Sequence, residues 1–154
     1  MMRPHKPNGF SDRICLRQGV LFLTIRYQVN GPVDPGAAAT LFRDSGIHRP
    51  DDDLERVAQM IERANLMVTA WNGAELVGMA RALTDWCYCC YLSDLAVSRQ
   101  LQRCGIGTAL LERVKEEIGD AVTLVLVASP EAAQFYNRIG LPRSDQAFVL
   151  RRSR

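Results

Sequence analysis

A glycine-bearing bend, Gln102-Arg103-Cys104-Gly105-Ile106-Gly107-Thr108, constrains this chain more than any other stretch. Before it, Tyr91-Leu92-Ser93-Asp94-Leu95-Ala96-Val97 reads as an apolar strand. After it, Ile106, Ala109, Leu110 and Val114 line one stripe of a helix running from Gly105 to near Ile118. Two glycines at a helix mouth let backbone N–H groups approach a ligand closely. The unpaired first-turn donors and the helix dipole then favour an anion. Arg99 and Arg103 supply charge of the matching sign.

Two common phosphate loops do not fit. A dinucleotide fingerprint needs a third glycine, and Leu110 stands in its place. A Walker loop ends in Gly-Lys-Ser/Thr, and Gly107-Thr108 lacks the lysine. What remains is Gln-x-x-Gly-x-Gly after a strand. On these residues alone, a turn that merely joins two core elements stays an open reading.

The rest of the chain supplies context. Residues 1 to 18 show no periodicity and carry Pro4, Pro7 and Gly9, which predicts a flexible extension ahead of a single domain spanning 19–154. Leu21, Leu23, Ile25 and Tyr27 share one face of a strand over 20–29. Asp34-Pro35 opens a short helix through Phe42, and Gly46 ends it. Asp51-Asp52-Asp53 reads as the start of a second helix rather than a metal site, because Leu54, Val57, Ala58 and Ile61 follow at helical spacing. Leu66 to Trp71 and Leu76 to Thr84 form a hairpin about Asn72-Gly73, and Trp86 to Val97 a further strand. The continuous apolar run Val122 to Val127 predicts a strand buried on both faces. Ser129-Pro130 then starts a helix that Gly140 caps, and Ala147 to Arg152 reads as a last strand.

The expected order is β-α-α-β-β-β-α-β-α-β. It describes an α/β domain with a mixed, mostly antiparallel sheet of six to seven strands and four helices. A net charge of +2 gives no reason to expect nucleic acid, and no apolar run approaches the roughly 20 residues needed to cross a bilayer. Five cysteines without a spaced framework suit a reducing cytoplasm. Cys87-x-Cys89-Cys90 is a poor zinc site, since strand alternation sends Cys89 and Cys90 to opposite faces. An exposed edge strand would permit a homodimer.

Three segments together resemble the GNAT superfamily, the acyl-CoA-dependent N-acetyltransferases, over roughly residues 20 to 152. They are Leu95-Ala96-Val97, the Gln102–Thr108 loop, and Ser129-Pro130-Glu131-Ala132-Ala133-Gln134-Phe135-Tyr136-Asn137-Arg138-Ile139-Gly140-Leu141. The last is similar to the family's Asn-x-x-Ala-x-x-Phe-Tyr-x-x-x-Gly-Phe segment, with Ser129 in the Asn place and Leu141 in the final Phe place. The resemblance implies acetyl transfer from acetyl-CoA to a primary amine, small-molecule or peptide, by direct attack in a ternary complex. It implies that Leu95, Ala96 and Val97 hold the pantetheine arm, and that Gln102, Arg103, Cys104, Gly105, Ile106, Gly107 and Thr108 hold the pyrophosphate. Ser129 offers one further cofactor contact. A non-catalytic acyl-CoA sensor on the same fold is the alternative.

Tyr136 is the candidate acid. Acyl transfer to an amine expels a thiolate, which a nearby hydroxyl can protonate. With the thiol near ~8.5 and a phenol near ~10, full transfer is uphill by about 2 kcal/mol in water. That is small beside the ~8 kcal/mol or more by which enzymes lower barriers. Asp94, with Asp85, Tyr88 and Tyr91 on or near the same strand, is the candidate for contact with the amine. His5 and His48 fall in the extension and a loop, away from that strand.

Overall fold

A tight turn at Gly73 sets the middle of the sheet. It joins strand β3 (Leu66–Asn72) to β4 (Glu75–Thr84), with Gly73 in the left-handed region at φ 59°. The computed structural model describes residues 11–17 and 21–153. Around this hairpin lie β1 (Ser11–Arg17), β2 (Leu21–Val29), β5 (Cys89–Val97) and β6 (Thr123–Leu126), in the spatial order β1-β2-β3-β4-β5-β6. All neighbours are antiparallel except β5 and β6, which run parallel.

Helices cover both faces. Helices α1 (Pro35–Ser45) and α2 (Leu54–Glu62) pack Leu41, Phe42 and Val57 against Met67, Met79 and Ala96 on one face. Helix α3 (Ile106–Ile118) buries Ile106, Leu110 and Val114 against Val68, Val77 and Ala80 on the other. Helix α4 (Pro130–Arg138) joins that side through Tyr136. The caps follow from sequence. The Asp34 carboxylate accepts the Ala37 N–H at 2.9 Å ahead of Pro35, and Gly46 closes α1 at φ 82°. Asp53 caps α2 by accepting the Arg56 N–H at 3.0 Å, and Asp51 accepts from Arg43 Nε at 2.7 Å. The acidic run therefore serves the helix start, as its spacing suggested.

Three expectations need correction. Residues 11–17, placed in a flexible extension, form β1 and pair along their whole length with β2, from Ser11↔Tyr27 to Arg17↔Leu21. A strand needs only a free neighbouring edge, which β2 offers; the Pro- and Gly-rich run before Ser11 obscured this. Residues 147–152, expected as a last strand, have no ladder partner and leave Phe148 and Leu150 in solvent. Consequently β6 is the sheet edge, and Val125 and Val127 are about half exposed rather than buried on both faces. The chain thus gains a strand before β2 and lacks one after α4. Residues 1–10, 18–20 and 154, with His5, lie outside the described residues.

The α3 face is held by a close backbone approach. A Cβ placed on Gly78 of β4 would lie 3.0 Å from Ile106 Cγ2, 3.1 Å from Leu110 Cδ1 and 3.2 Å from Ala70 Cβ. Only hydrogen lets α3 sit this near the sheet. Gly78→Val should therefore destabilise the fold by about 1–3 kcal/mol through overpacking. Thermal unfolding with an unchanged melting temperature would contradict this packing.

Candidate active site

The site begins with one extra residue. Between β4 and β5 the register runs Arg81↔Asp94 and then Ala82↔Leu92, so that Ser93 is a bulge with no partner. Without it, alternation would put Leu92 and Asp94 on one face. With it, Leu92 stays in the α3 core while Asp94 turns to the face of α1 and α2.

There Asp94 is 1% exposed and meets two guanidinium groups. Arg49, in the loop between α1 and α2, donates from Nε to Asp94 Oδ1 at 2.5 Å. Arg81 of β4 donates from Nε to the other oxygen, Oδ2. The cluster reaches further. Arg49 also bonds the carbonyls of Ser93 (2.7 Å) and His48 (2.6 Å), and Arg81 the Ser93 hydroxyl (2.8 Å) and the Met60 carbonyl (3.3 Å). Both carboxylate oxygens are thus engaged by cations, which pins the bulge and the α1–α2 loop together. Asp94 is placed as a tether of the site rather than an open base. Arg49 and Arg81 were missed in sequence; an arginine inside the apolar run Leu76–Thr84 was the available signal, because a buried cation needs a partner.

Past the bulge, β5 and β6 part. Their parallel pairing runs from Cys89↔Thr123 only to Leu92↔Leu126, while β5 continues to Val97. The Ser98 N–H bonds Val77 of β4 at 2.8 Å. By antiparallel alternation Ala96 and Asp94 also turn their backbone groups to β4, and Leu95 and Val97 turn theirs toward the gap. Of these, the Val97 carbonyl accepts from Gln102 Nε2 at 3.1 Å.

The bend at the gap's mouth has the features of an anion cradle. Arg103 and Gly105 are both left-handed, at φ 66° and 82°, a pattern that turns successive N–H groups into one concavity. Helix α3 starts with no side-chain cap and no acidic residue in its first turn, so its leading N–H groups at Ile106, Gly107 and Thr108 have no intrahelical partner. A Cβ on Gly107 would meet Phe135 of α4 at 3.3 Å and Val97 of β5 at 3.7 Å. The end of β5, the mouth of α3 and α4 therefore converge at one point. These donors fit a diphosphate.

The other expected residues divide by role. The Gln102 side chain bridges the Ser45 and Val97 carbonyls, which anchors the bend to the end of α1. Asp44 supports the same joint by accepting the Arg99 N–H at 3.1 Å. Ile106 is core, Cys104 is partly buried against that core, and both serve the bend through their backbone. Ser129 Oγ caps α4 by accepting the Ala132 N–H at 3.3 Å, while its hydroxyl donates to the Glu131 carboxylate and helps to lower that group's pKa. Asp85 is a turn-maker: its carboxylate accepts the N–H groups of Cys89, Tyr88 and Cys87, which hold its pKa well below the usual carboxylate range.

Tyr136 is partly buried on α4, edge-on to Phe135 with ring centroids 5.0 Å apart. Burial pushes its hydroxyl above the ordinary phenol value, opposed by the positive charge of Arg49. The phenol therefore keeps its proton at neutral pH, while a cation lies close enough to favour the charge left when that proton departs. Tyr136 packs on the same core cluster as Leu92, Leu95 and Val97, within the field of Arg49.

Comparison with known proteins agrees with this geometry. Residues 39–151 match the family described as "Acetyltransferase (GNAT) domain". Among solved structures, a protein of Deinococcus radiodurans R1 provisionally assigned as an acetyltransferase is 26% identical at a TM-score of 0.68, covering 82% of this chain and 88% of its own. A GNAT-family acetyltransferase of Streptococcus pneumoniae TIGR4 is 20% identical at 0.64, covering 83% and 99%. The aminoglycoside N-acetyltransferase AAC(6')-Iy, solved in complex with CoA, is 15% identical at 0.60, covering 96% and 99%. No curated protein matches the chain. Among the described residues no helix is long and apolar enough to cross a membrane.

If Asp94 is a tether, Asp94→Ala strands Arg81 in the core and should cost about 3–5 kcal/mol of stability. Chemical denaturation measures this directly. A variant of wild-type stability that has lost only turnover would instead make Asp94 the base.

Proposed function

Because the chain belongs to the GNAT acetyltransferase family, we propose that it is an N-acetyltransferase, carrying acetyl from acetyl-CoA to a primary amine by direct attack in a ternary complex. One observation carries the reading: the gap beyond Leu92↔Leu126 opens between an anion cradle at one end and a protonated phenol at its border.

The residues divide the work. Backbone N–H groups from Arg103 to Thr108 hold the diphosphate of acetyl-CoA, aided by the charge of Arg99 and Arg103. Backbone groups of Leu95 and Val97, left without a β6 partner, bond the pantetheine arm as a strand would, with Ala96 fixing that stretch to β4. When bound, the thioester supplies an acyl group activated for attack. A neutral amine forms the new C–N bond as the C–S bond breaks, and the amine's surplus proton leaves to solvent. Tyr136 gives its proton to the departing sulfur and recovers one from water, so the products are an amide and a free thiol. Arg49 stabilises the phenolate in between.

Asp94 enters this scheme by holding Arg49 in place. Ser129 would reach the cofactor by turning its hydroxyl from the Glu131 carboxylate at the start of α4. Free thiols at Cys87, Cys89, Cys90 and Cys104 accord with a reducing cytoplasm. Residues 19–154 act as a single catalytic domain.

Tyr136→Phe should lower kcat by about a hundredfold with little change in the KM for acetyl-CoA. The wild-type rate should climb from neutral pH as the amine loses its proton, and fall only in stronger alkali, where the phenol deprotonates above its ordinary value. Thiol release by the variant at the wild-type rate would remove Tyr136 from the chemistry.

A further inference from the structure

The sheet face opposite α3 carries an apolar row that the fold leaves open. Leu83 of β4, Tyr91 of β5 and Val125 of β6 lie directly across from one another, through the pairs Leu83↔Tyr91 and Tyr91↔Val125. They are 42%, 43% and 46% exposed. Their neighbours Ala82, Leu92 and Leu126 face the α3 core, so alternation puts this row on the face of α1 and α2, beyond the reach of those helices.

Two features tie the row to the site. First, Tyr91↔Val125 is the rung just before the last one, Leu92↔Leu126, after which β5 and β6 part. Second, along β4 the row follows directly on Arg81, which lies on the same face with Asp94 and Arg49. An acyl group brought through the gap from the α3 side reaches the sheet where the row begins. The row is thus the floor on which an acceptor would lie.

Charge decides what kind of acceptor. Two arginines against one carboxylate leave the cluster beside the floor with one net positive charge. Asp85 is consumed by its own turn, and α4 offers the single carboxylate of Glu131. A polycation would meet net repulsion there, whereas an apolar body would cover the open side chains.

Resting on the acetyltransferase reading, we propose that the acceptor is a monoamine on an aromatic or branched aliphatic body, seated on Leu83, Tyr91 and Val125. The attacking nitrogen points to the gap, and the apolar body lies on the row, away from the arginines.

The test compares phenylethylamine, tryptamine and isoamylamine with spermidine and sisomicin as acceptors for the full-length protein, following thiol release from acetyl-CoA. The apolar monoamines should show the higher kcat/KM. Tyr91→Glu should raise their KM by about tenfold while leaving the KM for acetyl-CoA unchanged. Val125→Glu should act alike, and both positions are open enough to accept the change without unfolding. Better turnover of spermidine or sisomicin, or an unchanged KM in both variants, would overturn this assignment and leave the acetyltransferase reading standing. Turnover of no amine at all, with coenzyme A still bound, would overturn both.

Discussion

The separation of β5 from β6 is the constraint on which the site depends. A parallel pair that stayed in register would satisfy its own backbone groups and leave nothing to bind a ligand. Here pairing stops at Leu92↔Leu126, and β5 runs on for five residues. The unpaired edge persists because β5 is held from its other side. The Ser93 bulge turns Asp94 toward Arg81 and Arg49, and three elements that are distant in sequence close on one buried carboxylate. A buried charge so placed is a poor source of net stability but a strong fixer of geometry, since losing either partner strands the other. In this chain it fixes the point where the sheet opens.

The bend from Gln102 to Thr108 is fixed from a second direction. Gln102 and Arg99 tie it to the end of α1, while Gly107 lets Phe135 of α4 and Val97 of β5 close around the helix mouth. Gly78 performs the matching service beneath, where α3 rests on β4. The N–H groups that would grip a diphosphate are therefore held in place before any ligand arrives. Preorganisation of this kind spares binding energy that a mobile loop would lose to ordering.

Much of this was legible in the sequence because the signals were local. Asn72-Gly73, Asp34-Pro35 and Ser129-Pro130 each encode a turn or cap through their own dihedral and hydrogen-bond preferences. The glycine-bearing bend likewise announces itself. The illegible parts were non-local. Nothing in Ser11–Arg17 says that β2 will offer it an edge, and nothing in Ala147–Arg152 says that β6 will not. The Ser93 bulge is a property of two strands at once, so the sequence of β5 alone does not tell which face Asp94 takes. Arg49 lies 45 residues from its carboxylate partner and could not be paired by spacing.

A crystal structure with coenzyme A bound tests the account most directly. The diphosphate should lie on the N–H groups of residues 103–108, the pantetheine along Leu95 to Val97, and the sulfur within hydrogen-bonding reach of the Tyr136 hydroxyl. A diphosphate bound away from the mouth of α3, or a thiol emerging far from that phenol, would contradict it.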